Sequence, residues 1–115
     1  MLLKVKLVNQ LRPMLGFGYE VEIQNIKING AYRGCSGFIR NPTNGVTVYI
    51  NTEKSCYAPL NKMNLVRFAK DMKDYGGVHS RNEWADDASI AKKIVNMLHN
   101  KIRYDEWLKC NSKLK

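Results

Sequence analysis

The chain has 115 residues, 44% of them hydrophobic and 25% charged. That length suits one domain with its own core and is too short for two of ordinary size, and the composition excludes wholesale disorder. Nineteen lysines and arginines against ten acidic residues leave a net charge of +9, and no window approaches the roughly 18–20 consecutive apolar residues that span a bilayer.

Met1-Leu2-Leu3-Lys4 breaks into charge at once and lacks the pattern of a secretory signal. Leu3, Val5 and Leu7 alternate with Lys4, Lys6 and Val8, which predicts a half-buried strand. Residues 9–18, interrupted by Pro13, Gly16 and Gly18, read as a connection. Tyr19, Val21 and Ile23 alternate with Glu20, Glu22 and Gln24 in a second strand. Its apolar phase then jumps to Ile26 and Ile28, so a bulge is expected near Gln24-Asn25. Asn29-Gly30 favours positive φ at both positions and predicts a type I′ hairpin. The next strand runs over 31–40, a turn cluster over 41–45, and a β-branched strand over 46–50.

The second half changes period. Leu65, Phe68, Ala69 and Met72 fall at helical spacing, with Asn61 as N-cap, Pro59 ending the preceding segment and Gly76-Gly77 as the stop. Asp86 and Asp87 open a second helix with a stripe of Ile90, Ala91, Ile94, Val95, Leu98 and Ile102. Tyr104, Trp107 and Leu108 belong to a helical extension folded back on the domain. The expected fold is α+β: an N-terminal antiparallel β-meander of four to five strands, then two to three C-terminal helices packed on one face. It forms a single domain, β-rich over 1–52 and helical over 60–110, with no repeat and no linker.

The positive charge is spread over both halves, net +4 over 1–52 and +5 over 53–115. Such a field attracts polyanions, and phosphate neutralisation supplies most non-specific nucleic-acid affinity; a plain solubility charge is the competing reading. Cys35, Cys56 and Cys110 are odd in number, widely spaced and without a CxxC pair. They read as reduced thiols in a cytoplasmic protein, with no disulfide framework or zinc site. Arg33-Gly34-Cys35-Ser36-Gly37 lacks the lysine and following helix of a phosphate-binding P-loop.

Three surfaces stand out. On the meander, Tyr32, Phe38 and Tyr49 gather on the outer face beside Arg40 if Ile39 faces the core, forming a stacking platform for single-stranded bases; the alternative is packing, with Phe38 in the core. The loop over 74–84 collects His79, Arg81, Tyr75 and Trp84. A small metal-independent nuclease would use His79 as base and Arg81 against phosphoryl charge. Otherwise the loop is structural or meets a partner through Trp, Tyr and Arg. Arg67, Lys70 and Lys73, with Lys92 and Lys93 on the following helix, are the third surface; a solvated face is the plain alternative.

Small size, basic charge and a meander followed by helices look like the proteins of phages and other mobile elements, among them inhibitors of host defence nucleases. The likeness is one of style and carries no residue assignments. The expectation is a non-enzymatic binding protein for nucleic acid or a nucleoprotein, without cofactor, metal or membrane. Tyr32, Arg33, Arg40, Tyr49, Lys70, Lys73, Arg81 and Trp84 are the expected contacts. The alternative partner is an acidic protein groove, such as the nucleic-acid channel of a defence enzyme.

Overall fold

The computed structural model describes residues 1–54, 63–76 and 81–113. In chain order these form helix α1 (Lys4–Leu15), strands β1 (Glu20–Ile28), β2 (Ala31–Arg40), β3 (Thr47–Asn51), β4 (Asn64–Ala69) and β5 (Glu83–Ala85), then helices α2 (Ile90–Leu98) and α3 (Lys101–Lys113). The strands pair antiparallel in chain order, β1-β2-β3-β4-β5. The α+β meander with helices behind it is therefore the architecture.

Three elements differ from expectation: α1, β4, and β5, which pairs with β4 over residues expected to end the 74–84 loop. Residues 3–7 begin a helix, not a strand, and α1 continues through Pro13. Leu7 and Leu11, four apart, are buried, with Val8 and Leu15 against the same core, while Val5 points to water. Helical period thus overrides the short alternation of Leu3, Val5 and Leu7. Leu3 offers no side-chain cap, but the Lys4 N–H donates to Asn25 Oδ1 of β1 at 2.8 Å, so a neighbouring strand satisfies a free amide of the helix start. Gly16, at φ 70, closes the helix by donating its N–H to Arg12 O at 2.8 Å.

The second difference is β4. Leu65, Phe68 and Ala69 belong to a strand, not a helix. Buried Val66 and Phe68 face the helices, and Leu65 and Arg67 face the other way. The cap placed at Asn61 and the stop at Pro59 lie outside the described residues. Gly76 ends no helix; its Cα lies against Arg67, where an added Cβ would stand 3.1 Å from Nη2.

The Asn29-Gly30 hairpin forms as its sequence dictates, with φ 51 and 80. The register shift lies two residues beyond the expected place. Ile26 pairs with Gly34 and Lys27 with Tyr32, so Arg33 is the extra residue, on β2. The Asn41–Gly45 turn holds itself by side-chain acceptors: Thr43 N–H donates to Asn41 Oδ1 and Val46 N–H to Asn44 Oδ1. Both amides then reach across, Asn41 Nδ2 and Asn44 Nδ2 each donating to Leu98 O at 3.1 Å. This loop caps the end of α2.

The core lies between the sheet and the helices. Ile23, Ile39, Val48, Ile50, Val66 and Phe68 meet Leu7 and Leu11 of α1 and Ile90, Ile94 and Leu98 of α2. Each such aliphatic side chain contributes about 1.5–3 kcal/mol on burial. α3 adds Tyr104 and Trp107, whose rings lie 5.4 and 6.1 Å from Phe68, and the Tyr104 hydroxyl donates to Ala69 O at 2.6 Å. Ile102, expected in the α2 stripe, is 75% exposed. The chain turns at His99-Asn100, and α3 starts a new phase.

Asp86 does start the α2 turn, accepting from Ser89 N–H and Oγ at 2.8 and 2.7 Å. These bonds hold its carboxyl below the usual range. Asp87 instead ties the turn to the sheet through Asn64 and Lys54. Burial alone would raise its pKa, but the bonds from Asn64 and Lys54 outweigh it.

Candidate functional site

Cross-strand register decides which side chains share the face away from the helices. Phe38 pairs with Tyr49, and Tyr49 with Arg67. The next row is Ser36, Asn51, Leu65 and Trp84. Directly opposed residues of an antiparallel pair point to the same side, so these two rows form the surface.

The first row is tied together by rings. Phe38 is buried here, on the outer side, outside the main core cluster. Its ring lies 5.2 Å from Tyr49 and 5.1 Å from Tyr75, and Tyr49 and Tyr75 lie 6.3 Å apart. Both geometries near Tyr75 are edge-on, a favoured arrangement for aromatic quadrupoles.

Arg67 forms the floor. It is 3% exposed, with its guanidinium carbon 4.5 Å from the Tyr49 ring centre. Its Nη1 donates to Phe68 O at 3.1 Å and its Nη2 to Asp74 O at 2.7 Å, while the Asp74 carboxylate lies 3.7 Å away. Burial lowers the Arg67 pKa, opposed by the charge of Asp74 and by Tyr49. Asp74 also organises the chain after β4: Oδ2 accepts from Lys70 N–H at 3.0 Å and Oδ1 from Gly76 N–H at 3.2 Å. That turn carries Tyr75 over Phe38 and leaves it 74% exposed.

The result is a groove of about 380 Å³, lined chiefly by Tyr49, Asn51, Leu65, Arg67, Tyr75 and Trp84. Asn82 lies at its margin, exposed. Asn51 accepts Glu53 N–H at 2.8 Å and donates to the Tyr49 hydroxyl at 3.3 Å, which leaves one of its two amide N–H groups to offer. Rings for stacking, the Asn51 amide and a fixed cation suit a flat, unsaturated ligand.

The expected contacts are only partly gathered. Tyr49 and Trp84 share the groove. Tyr32 does not join them. The extra residue Arg33 turns Tyr32 to the opposite face, where Lys27 lies 5.2 Å from its ring centre. Arg33 is exposed at that same far end, and Tyr32 stands about 20 Å along the strand from Phe38. Arg40 lies on the groove side, one row beyond Phe38, in an ion pair with Glu20 at 2.7 Å. Lys70 and Lys73 are exposed in the turn that holds Tyr75. Arg81 lines a separate hollow beside Arg103 and Trp107.

His79 lies outside the described residues. His99 is engaged: a carbonyl only accepts, so Nδ1–H donates to Val95 O at 3.0 Å, and Nε2 is hydrogen-bonded to the Tyr19 hydroxyl at 2.8 Å. Among the described residues no group of three or more His, Cys, Asp or Glu is placed to hold a metal. Cys35 is buried as a free thiol whose pKa burial raises, and Cys110 is an exposed free thiol. No described helix is long and apolar enough to cross a membrane. Comparison with family models, curated proteins and solved structures returns no match.

Asn51 and Leu65 were not expected at this site; Tyr75 and Arg67, placed by the sequence on two other surfaces, here meet Tyr49. Alternation of Leu65 and Arg67 with Val66 and Phe68 was the available signal, masked by the equally good helical spacing of Leu65, Phe68, Ala69 and Met72.

Proposed function

We propose that this chain is a non-enzymatic protein that binds single-stranded nucleic acid, alone or within a nucleoprotein, on the sheet face opposite its helices. The observation that carries the reading is the convergence of Tyr49, Tyr75 and Trp84 on one groove floored by Arg67. Every base has a π face, so ring stacking takes any sequence, at about 1–3 kcal/mol per base. Lys70 and Lys73 are exposed in the turn that carries Tyr75 and are the cations we assign to a phosphate chain leaving the rings. The net charge of +9 supplies long-range attraction. The reading carries a cytoplasmic setting and no cofactor.

Titration with an oligothymidine or oligouridine of about 12 nucleotides tests it. Tryptophan emission and gel mobility should both report binding, and log K should fall with log salt by about 0.7–0.9 per phosphate contacted. Tyr49→Ala and Trp84→Ala should each weaken binding about 10- to 100-fold. No binding at low salt, or equal binding by both variants, overturns the reading. An acidic protein partner retained after nuclease digestion would favour the second reading, an inhibitor of the phage or mobile-element type that occupies the nucleic-acid channel of a defence enzyme.

A further inference from the structure

Trp84 borders two recesses. One is the groove above. The other, about 390 Å³, lies between β5 and the helices and is walled by Ser89, Lys92, Lys93, Asn96, Met97 and Arg103. From Arg103 a smaller hollow of about 170 Å³ leads on to Arg81. β5 is a three-residue strand at the edge of the sheet, so Trp84 is the divide between an aromatic face and a basic one.

Two of the cations on the basic side, Lys93 and Arg103, are held in place. Glu83 accepts from Lys93 Nζ at 2.8 Å and from Arg103 Nη2 at 2.7 Å. Arg103 also lies over the Phe68 ring at 5.3 Å. One carboxylate cannot use the three N–H of an ammonium and the five of a guanidinium, so both side chains keep donors for another anion. Lys92, next in line, is exposed and has no ion pair among the described residues. Four cations, Arg81, Lys92, Lys93 and Arg103, face two carboxylates, Glu83 and Glu106. A surplus of positive charge, with Lys93 and Arg103 preset by Glu83, matches a polyphosphate backbone, which needs several donors in a row and no base-specific contact.

We infer that a single strand stacked on Trp84 crosses β5 and lays its phosphates along Lys92, Lys93, Arg103 and Arg81. This rests on the reading of the aromatic groove and gives it a second half: bases on the sheet face, backbone on the α2–α3 side.

The test compares a short and a long oligomer. An oligomer of about three nucleotides fills the aromatic groove alone; one of about 12 reaches both sides. Lys92→Glu, at an exposed helix position, should weaken the long oligomer about tenfold and lower its salt slope by about 0.7–0.9 or more, and Lys92→Arg should restore both. The wild-type gain in affinity from short to long oligomer should shrink in Lys92→Glu. Wild-type binding of both oligomers with the same slope and affinity in Lys92→Glu overturns the backbone path and leaves the groove standing. Failure of the wild-type protein to bind either oligomer overturns the groove and the path together.

Discussion

The Arg67 guanidinium is sandwiched between the Tyr49 ring, 4.5 Å away, and the chain at Asp74, whose carbonyl it holds at 2.7 Å. One side chain therefore joins the groove floor to the turn that presents Tyr75. Arg67→Lys cannot reproduce the planar fork that reaches Phe68 O and Asp74 O together. Leaving a buried carbonyl unpaired costs about 1–3 kcal/mol. Urea denaturation should show a loss of that size, and the near-ultraviolet dichroism of the tyrosines should weaken with it.

Glu83 makes stability depend on acid. Burial alone would raise its pKa, but bonds and charges from Lys93 and Arg103 bring it below the ordinary 4.5. A depressed folded pKa means stability that is fully present above the unfolded value and is lost as pH falls through the folded one. Wild-type stability should thus decline below about pH 4.5. Glu83→Gln should flatten that decline while costing about 0.5–1 kcal/mol at neutral pH, the scale of solvent-screened pairs. An unchanged acid limb in thermal melts would remove Glu83 from this role.

Gly37 sits where β1 and β2 touch. An added Cβ would lie 1.9 Å from Glu22 O and 2.7 Å from Ile23 Cα, both backbone atoms that cannot step aside. Gly37→Ala should cost more than about 3 kcal/mol, beyond the usual range for a point change, and is expected to abolish the cooperative transition. Gly30→Ala provides the contrast. Its Cβ meets nothing, and only the left-handed φ of 80 is strained, for about 1 kcal/mol.

Thr52 fastens the N-terminal segment to the sheet. Its hydroxyl donates to Leu2 O at 2.6 Å and accepts Cys35 N–H at 2.8 Å, all within the core. Thr52→Val keeps the shape and removes both bonds, for about 2–3 kcal/mol. Hydrogen exchange should then show α1 opening more readily than α2.

Local rules fixed what local chemistry controls. Asn29-Gly30 demanded its turn, Val46–Ile50 had no competing helical reading, and Ile90, Ala91, Ile94 and Leu98 are buried as their spacing requires. Leu3–Leu7 and Leu65–Met72 are short apolar runs that satisfy both periods, and packing decided them: Leu7 and Leu11 need α2, while Val66 and Phe68 need β3 and α3. The groove was half legible. Tyr49 and Trp84 follow from residue type and strand position. Tyr32 was misplaced because one unpaired residue, Arg33, reverses everything beyond it. Tyr75 was out of reach because two bonds to Asp74 and one from Arg67 set its place, and no spacing rule encodes them.

Because each strand pairs with its neighbour in the chain, the sheet can close hairpin by hairpin, with little loop entropy to overcome at any step. α1 follows a different timetable. It precedes all five strands, yet much of its apolar stripe rests on α2, which follows them. During synthesis Leu7 and Leu11 must wait until Ile90–Leu98 has emerged before α2 can cover them. Pulse-labelled exchange during refolding should find the β1–β2 amides protected ahead of those in α1.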